Sequence, residues 1–194
     1  KLATADPMDA QAQTDRVMSY SKMGDIEQQR REFDKAIVWY EKAQKNLLDL
    51  REQGRLAPQF QEWIEMMAKG ISVCQAAGRS IEDLEFALTQ PPQHAADLLI
   101  IRATVLAARG QHADAAATAA KLHELAEESE LSKSSQVFRQ NHLYNVACCY
   151  SLCARGVAKD KPELAAEDET LRRQYADQAV AALRAAIAAG YNDL

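Results

Sequence analysis

Apolar residues recur every three or four positions over long stretches of this chain. In one such stretch Phe60, Ile64, Met67, Ile71 and Cys74 fall on a single helical face. No run of Val, Ile or Thr alternates with polar residues at a period of two, as a half-buried strand would require. The pattern therefore predicts an all-α protein.

Signals for helix starts and stops divide the first half of the chain. Proline is favoured at the first position of a helix, and glycine just after the last. Helices are predicted to begin at Asp6-Pro7, Phe33 and Pro58. The first is expected to end at about Arg30 and the second at Gly54. Gly78 is expected to end the helix that begins at Pro58, and Ser80 to cap a short partner helix.

The second half contains the strongest helix-breaking signal of the sequence, the pair Pro91-Pro92. After it the pattern predicts helices over Ala95–Arg109, His112–Glu128 and Val137 to Ala154, then a polar segment over residues 155–170, then a helix from Leu171 that Gly190 ends. About eight helices in four hairpins result. This number favours one helical-repeat domain over residues 1–194, in which each hairpin stacks on the next as an α-solenoid.

One segment carries a more specific signature. Tyr20, Met23 and Gly24 precede Ala36 and Tyr40 at the spacing of a helix-turn-helix repeat in which small residues let two helices touch. The segment around Met23–Gln44 resembles a tetratricopeptide repeat. The resemblance implies a superhelix whose concave side is lined by the first helix of each hairpin.

Three tracts suggest a wider resemblance: ADLLIIRATVLAARGQHADAAATAAKL, LYNVACCYSLCA and YADQAVAALRAAIAAGYNDL. The region over roughly Asp97–Leu194 is similar to the tetratricopeptide region that follows the kinase domain of large bacterial serine/threonine protein kinases. In that family the chain continues past a similar Gly-Tyr pair, so Leu194 is expected to be a cut within a longer protein. The sequence contains no kinase glycine-rich loop, no HRD and no DFG motif. The resemblance implies a regulatory region that is not an enzyme.

The charge of the chain indicates which classes of partner it can bind, and its cysteines indicate its cellular compartment. With 28 acidic and 23 basic residues scattered along it, the chain has a net charge of −5 and no basic stripe typical of nucleic-acid binding. Three of the four cysteines lie in one predicted helix, which is typical of reduced thiols and predicts a cytoplasmic location. No stretch reaches the roughly 18 apolar residues of a membrane span.

Two groups of residues match part of the spacing that metal-binding motifs require. His123-Glu124-x2-Glu127 places Glu where a zinc protease motif needs its second His, so the ligand set is incomplete. Cys149-x3-Cys153, with His142 before it, could hold a soft metal. Because cysteine also behaves as a small buried apolar residue, the core interpretation is favoured. No metal and no cofactor is predicted.

Aromatic residues raise a similar question. Trp39, Tyr40, Phe60 and Trp63 could form a stacking box for a ligand, but at helical spacing they are more often core residues. The core interpretation is again favoured.

The predicted architecture creates a groove, and the register of the repeats assigns side chains to it. The candidate partner-binding residues are Ser21, Asp25, Gln28, Lys69, Thr104, Asn141, Tyr144 and Ser151, together with the less polar Val73, Ile100, Ala108 and Cys148. The predicted function is binding of a protein or peptide on this concave face. The alternative is a structural spacer or self-association segment without a peptide ligand.

Overall fold

The computed structural model describes residues 10–159, 161 and 163–192, and the prediction of an all-α protein is confirmed for them. No strand occurs in these ranges. The predicted helix start at Asp6-Pro7 lies outside them. The α-helices, numbered in chain order, are α1 Ala10–Gln29, α2 Phe33–Glu52, α3 Gln61–Glu82, α4 Leu84–Leu88, α5 Pro92–Ala108, α6 His112–Glu128, α7 Glu130–Ser134, α8 Gln136–Val157 and α9 Ala166–Ala188, and a short 3-10 helix covers Pro58–Phe60.

The chain forms two compact units, Lys1–Gly78 and Arg79–Leu194, and each is described on its own. In the first unit α1 packs against α2. In the second, α5 packs against α6, and α8 contacts α5, α6 and α9. The single domain predicted over residues 1–194 stays a prediction.

The core of the first unit is organised by Tyr40, which is 2 % exposed. A Cβ built on Gly24 would lie 2.5 Å from Tyr40 Cε1, and one built on Gly70 would lie 3.2 Å from Tyr40 Cε2. The tyrosine ring therefore occupies the space that a side chain at Gly24 would need. This is the small-against-large packing that close approach of two helices requires.

The predicted end of the third helix is wrong. Gly78 lies inside α3, which continues to Glu82, and Ser80 is a buried helical residue instead of a cap. The cap of α4 is Asp83, whose carboxylate accepts a hydrogen bond from the Phe86 amide at 2.9 Å. The helix continues past the glycine because burial of Ser80 and Ile81 outweighs the weak helix propensity of one Gly.

Arg102 of α5 stabilises that last turn of α3. Its Nη1 donates to the carbonyl oxygen of Ser80 at 2.9 Å and also to that of Ile81, while its Nε donates to Thr118 Oγ1 at 3.2 Å. The guanidinium thus adds hydrogen bonds at the C-terminal turn of α3, where helical carbonyls outnumber helical N–H donors. One side chain joins α3, α5 and α6 within the second unit.

The last helices differ from prediction at their ends. Helix α8 extends to Val157, beyond the predicted end at Ala154, and α9 begins at Ala166, within the segment predicted to be polar and before the predicted start at Leu171. The predicted stop at Gly190 agrees with its φ of +102°, a conformation that favours glycine. The carbonyl of Ala189 accepts a hydrogen bond from Gln136 Nε2 at 2.8 Å, which fixes the end of α9 to the start of α8.

Candidate functional site

Four predicted groove residues follow one face of α8. Asn141, Tyr144, Cys148 and Ser151, hereafter the α8 face, are spaced by three or four residues and so lie along one side of the helix. Asn141 and Ser151 are exposed, and Tyr144 and Cys148 are half-buried. All four side chains are therefore at least partly accessible from the solvent.

A hollow of about 380 Å³, hereafter the tyrosine hollow, lies near the start of this face. It is lined by Gln140, Asn141, Tyr144, Asn145, Tyr191 and Asn192. The rings of Tyr144 and Tyr191 stack with centroids 4.4 Å apart and planes inclined by 11°. Hydrogen bonding to the Cys148 thiol is the main cause that raises the pKa of Tyr144.

Tyr144 also packs against the core. Together with Tyr191 it covers a buried apolar cluster that includes Leu143 and Ala186. One face of the Tyr144 ring is therefore occupied by the chain itself. Tyr144, one of the predicted partner-binding residues, is therefore in part a structural residue.

A larger hollow of about 550 Å³, hereafter the basic hollow, lies at the other end of α8. Its lining residues come from the last turns of α5 and α8 and the residues that follow α8: Thr104, Ala107, Ala108, Leu152, Arg155, Gly156, Ala158 and Lys159. Lys159 Nζ donates to the carbonyl oxygen of Ala108 at 2.6 Å. The structure thus brings predicted residues Thr104 and Ala108 next to α8.

Arg155 is also part of a third hollow, of about 380 Å³, which contains Arg172 and Arg173 of α9 and is hereafter the arginine hollow. This group of cations was not predicted from the sequence. The three arginines lie on two helices separated by a polar segment, so no run of charge in the sequence marks them. A signal was present in the spacing of Arg155 four residues after Ser151, which extends the α8 face by one turn.

Ser151 lines none of these hollows. Its Oγ donates to the carbonyl oxygen of Ala147 at 2.9 Å, one turn back in the same helix. Serine commonly makes this bond when it occupies a helix interior.

In the first unit, two of the four predicted residues are tied to Tyr40. The Tyr40 hydroxyl oxygen lies 2.7 Å from Asp25 Oδ1 and 2.8 Å from Gln28 Oε1. A hydroxyl has one hydrogen, so it donates to one of the two at a time. Burial, then the hydrogen bond to Asp25, raises the pKa of Tyr40. Asp25 and Gln28 line a shallow hollow of about 480 Å³, and they also support the core.

The other two predicted residues of this unit are not brought into that hollow. Ser21 is half-buried on α1, and Lys69 is exposed on α3. Val73, one turn after Lys69, has a side chain that is 43 % exposed.

The cysteines considered as metal ligands lie in the core of the second unit. Cys149 is 1 % exposed and Cys153 is 0 % exposed. Burial raises the pKa of Cys149 to about 12 and that of Cys153 to about 11, because a thiolate is costly in an apolar interior. Both thiols are therefore protonated at neutral pH.

His142 is buried against the edge of the Phe138 ring, with centroids 4.2 Å apart. Burial lowers the pKa of His142, so the neutral imidazole is favoured. In the ranges that the structure describes, no group of three or more His, Cys, Asp or Glu is placed to hold a metal ion.

The glutamates of the His123-Glu124-x2-Glu127 motif have cationic partners. Glu127 Oε2 lies 2.7 Å from Arg139 Nη2, and Glu124 Oε2 lies 2.7 Å from Lys121 Nζ. These ion pairs account for both carboxylates on the surface of α6.

Three of the four aromatic residues of the suggested stacking box take part in two separate ring contacts. Trp39 contacts Tyr20 with centroids 5.6 Å apart, and Phe60 contacts Trp63 at 5.2 Å. Tyr40 is buried, and the other three members are half-buried.

Comparisons with known proteins give no relative for this chain. No protein-family model matches it, and neither a curated protein nor a solved structure matches it significantly. Across the part of the chain with described coordinates, no helix has the length and apolar character that crossing a membrane requires.

Proposed function

We propose that this chain is a protein-binding module without a catalytic role, and that a peptide or a helix of a partner protein lies along the α8 face. The observation that carries the proposal is a pair of open hollows at the two ends of that face. Tyr144 and Arg155, one in each hollow, are eleven residues apart. At 1.5 Å per helical residue they are separated by about 16 Å, which roughly five residues of extended peptide span.

The chemistry of the face supports a polypeptide ligand. The tyrosine hollow presents side-chain amides of Gln140, Asn141 and Asn145, which can donate to and accept from a peptide main chain. The basic hollow presents small apolar residues beside two cations. A partner with both apolar and polar groups fits such a mixed lining.

We also propose how the helices are arranged and to which kind of larger protein the chain belongs. The packed helix pairs α1–α2, α5–α6 and α8–α9, together with α3–α4, are taken as the hairpins of a tetratricopeptide-like solenoid of about four repeats. The resemblance of the three tracts in the second half further suggests a regulatory region of a bacterial serine/threonine kinase. Both statements rest on sequence patterns, and the packed helix pairs are compatible with the first.

The non-catalytic part of the proposal is supported by the positions of the reactive side chains. Cys149, Cys153 and His142 are buried, and the thiols have pKa values of about 12 and about 11. A nucleophilic cysteine needs a lowered pKa and access to substrate. Glu127 is held in an ion pair.

A structural spacer is the second candidate, and one observation favours it. Tyr191 already covers one face of the Tyr144 ring, so the aromatic surface is partly satisfied within the chain. A segment that serves only to separate or support other domains would use its tyrosines in this way.

A capture experiment separates the two candidates. The wild-type chain, Asn141→Arg and the control Gln178→Arg are immobilised and exposed to an extract of the source organism. Asn141 is exposed in the tyrosine hollow, whereas Gln178 is exposed on α9 outside the hollows described above. If the chain is a protein-binding module, at least one protein of the extract should bind to the wild type and to Gln178→Arg but not to Asn141→Arg. Capture of the same proteins by all three chains, or capture of no protein by any of them, would favour the spacer.

Two substitutions at predicted residues are avoided in this design. Tyr144→Ala would remove the stack on Tyr191, and Asp25→Lys would remove a partner of the buried Tyr40 hydroxyl. Either change would lower stability as well as binding. Lys69→Glu is the better variant in the first unit, because Lys69 is exposed and has no ion pair among the described residues.

A further inference from the structure

Four cations of the second unit line two adjoining hollows, although the whole chain has a net charge of −5. Arg155 and Lys159 line the basic hollow, and Arg155, Arg172 and Arg173 line the arginine hollow. Arg155 and Ala158 belong to both. The two hollows are therefore neighbours on one surface.

Most of the hydrogen-bond donors in these hollows are free to meet a ligand. Arg155 is exposed and forms no ion pair within the described ranges. Lys159 uses one donor on the carbonyl of Ala108. Arg172 and Arg173 share a single carboxylate oxygen, Glu169 Oε1, at 3.0 and 3.3 Å.

Local helix ends do not neutralise this charge. Helices α5 and α8 both end beside the basic hollow, and each helix C-terminus carries about half a negative charge. Together they offset about one of the two charges on Arg155 and Lys159. Glu169 offsets one of the two on Arg172 and Arg173. For the described residues that line the adjoining hollows, and with Glu169, a positive surplus of about two charges remains.

We infer that the basic and arginine hollows together bind the carboxylate side chains of an acidic peptide segment. The inference rests on the proposed function and specifies the chemistry of the partner at this end of the α8 face. Arginine holds a carboxylate through two parallel N–H donors, which favours Arg155 as the main contact.

The rest of the lining favours a peptide over a nucleic acid. Ala107, Ala108 and Ala158 have small side chains that let a peptide main chain approach the helices. The residues that line the two hollows, as described, include no aromatic ring. Proteins that bind single-stranded nucleic acid usually stack the bases on aromatic side chains.

Fluorescence anisotropy with defined probes tests the inference. The probes are labelled, N-acetylated and C-amidated peptides of the repeats Glu-Ala-Ala, Gln-Ala-Ala and Lys-Ala-Ala, each of twelve residues, and a twelve-nucleotide oligo-dT. Wild type is compared with Arg155→Gln and with Arg184→Gln, an exposed arginine of α9 outside these hollows. Circular dichroism confirms that each variant is folded.

The expected result is binding of the Glu peptide alone, weakened at least tenfold by Arg155→Gln and less than twofold by Arg184→Gln. Binding should also weaken as salt is raised from 50 to 200 mM, because ions screen exposed charges. Equal binding of Glu and Gln peptides, no binding of either, equal loss in both variants, or tighter binding of oligo-dT would each overturn the inference. If the capture experiment still depends on Asn141, the proposed function would stand while this inference fails.

Discussion

At the scale of single residues, Tyr40 shows how one side chain determines what its neighbours can be. Its ring lies against Gly24 and Gly70, and its hydroxyl meets Asp25 and Gln28. The spacing of small and large residues in the sequence indicated the contact between Gly24 and Tyr40. The hydrogen bonds could not be predicted, because they depend on how the turn between α1 and α2 sets the two helices side by side.

Alanine at Gly24 is expected to destabilise the protein, although alanine is the better helix former. The new Cβ would lie 2.5 Å from Tyr40 Cε1, and overpacking of this kind costs about 1–3 kcal/mol. Gly78→Ala is the matched control: its nearest neighbour would be Phe33 Cβ at 4.0 Å, so the gain in helix propensity of about 1 kcal/mol should dominate. Urea unfolding followed by circular dichroism measures both. Stabilisation by both substitutions would contradict the packing described.

The cysteines are expected to differ in reactivity. Cys148 is half-buried on the α8 face, whereas Cys74, Cys149 and Cys153 are buried and burial raises the pKa of each. At pH 8 a thiol-reactive dye should label one cysteine quickly and the other three only after denaturation. Replacing Cys148 by serine should remove the fast phase. Rapid labelling of two or more cysteines in the folded protein would show that the core assignment is incorrect.

At the scale of helices, the end of α3 shows where prediction from local signals fails. Gly78 and Ser80 have the residue types of a helix end, yet the helix continues to Glu82. The decisive contacts come from Arg102, which is about twenty residues further along the chain. By contrast, the hairpin of α5 and α6 was predicted closely, because Pro91-Pro92 and Gly110 act locally. The cation group around Arg155 was missed because it too depends on contacts between helices.

Removal of the Arg102 guanidinium is expected to destabilise the second unit. Arg102→Met keeps most of the apolar stem but leaves the carbonyls of Ser80 and Ile81 without this donor. A hydrogen bond to a charged group contributes about 1.5–3 kcal/mol, so a loss of about 2 kcal/mol is expected in urea unfolding. Arg184→Met, on the exposed face of α9, should change the free energy of unfolding by less than about 0.5 kcal/mol. Equal effects of the two substitutions would contradict the capping role.

At the scale of the whole molecule, the division after Gly78 leads to a prediction about folding. A fragment of residues 79–194 contains a compact unit with the Arg102 contacts intact, and it is expected to be helical and to unfold cooperatively. A fragment of residues 83–194 lacks the carbonyls that Arg102 binds and should be less stable by about 1–3 kcal/mol. Circular dichroism during thermal unfolding compares them. An unfolded 79–194 fragment would contradict the prediction and show that the second unit needs residues of the first unit to fold.

If a partner protein lies on the α8 face, site-specific photo-crosslinking in cells should detect it at that surface. A photoreactive phenylalanine analogue is placed at Asn141 or, as the control, at Gln178, both of which are exposed. Illumination is expected to join a second protein to the chain from position 141 and not from position 178. Adducts of equal yield from both positions, or no adduct from position 141, would contradict this expectation.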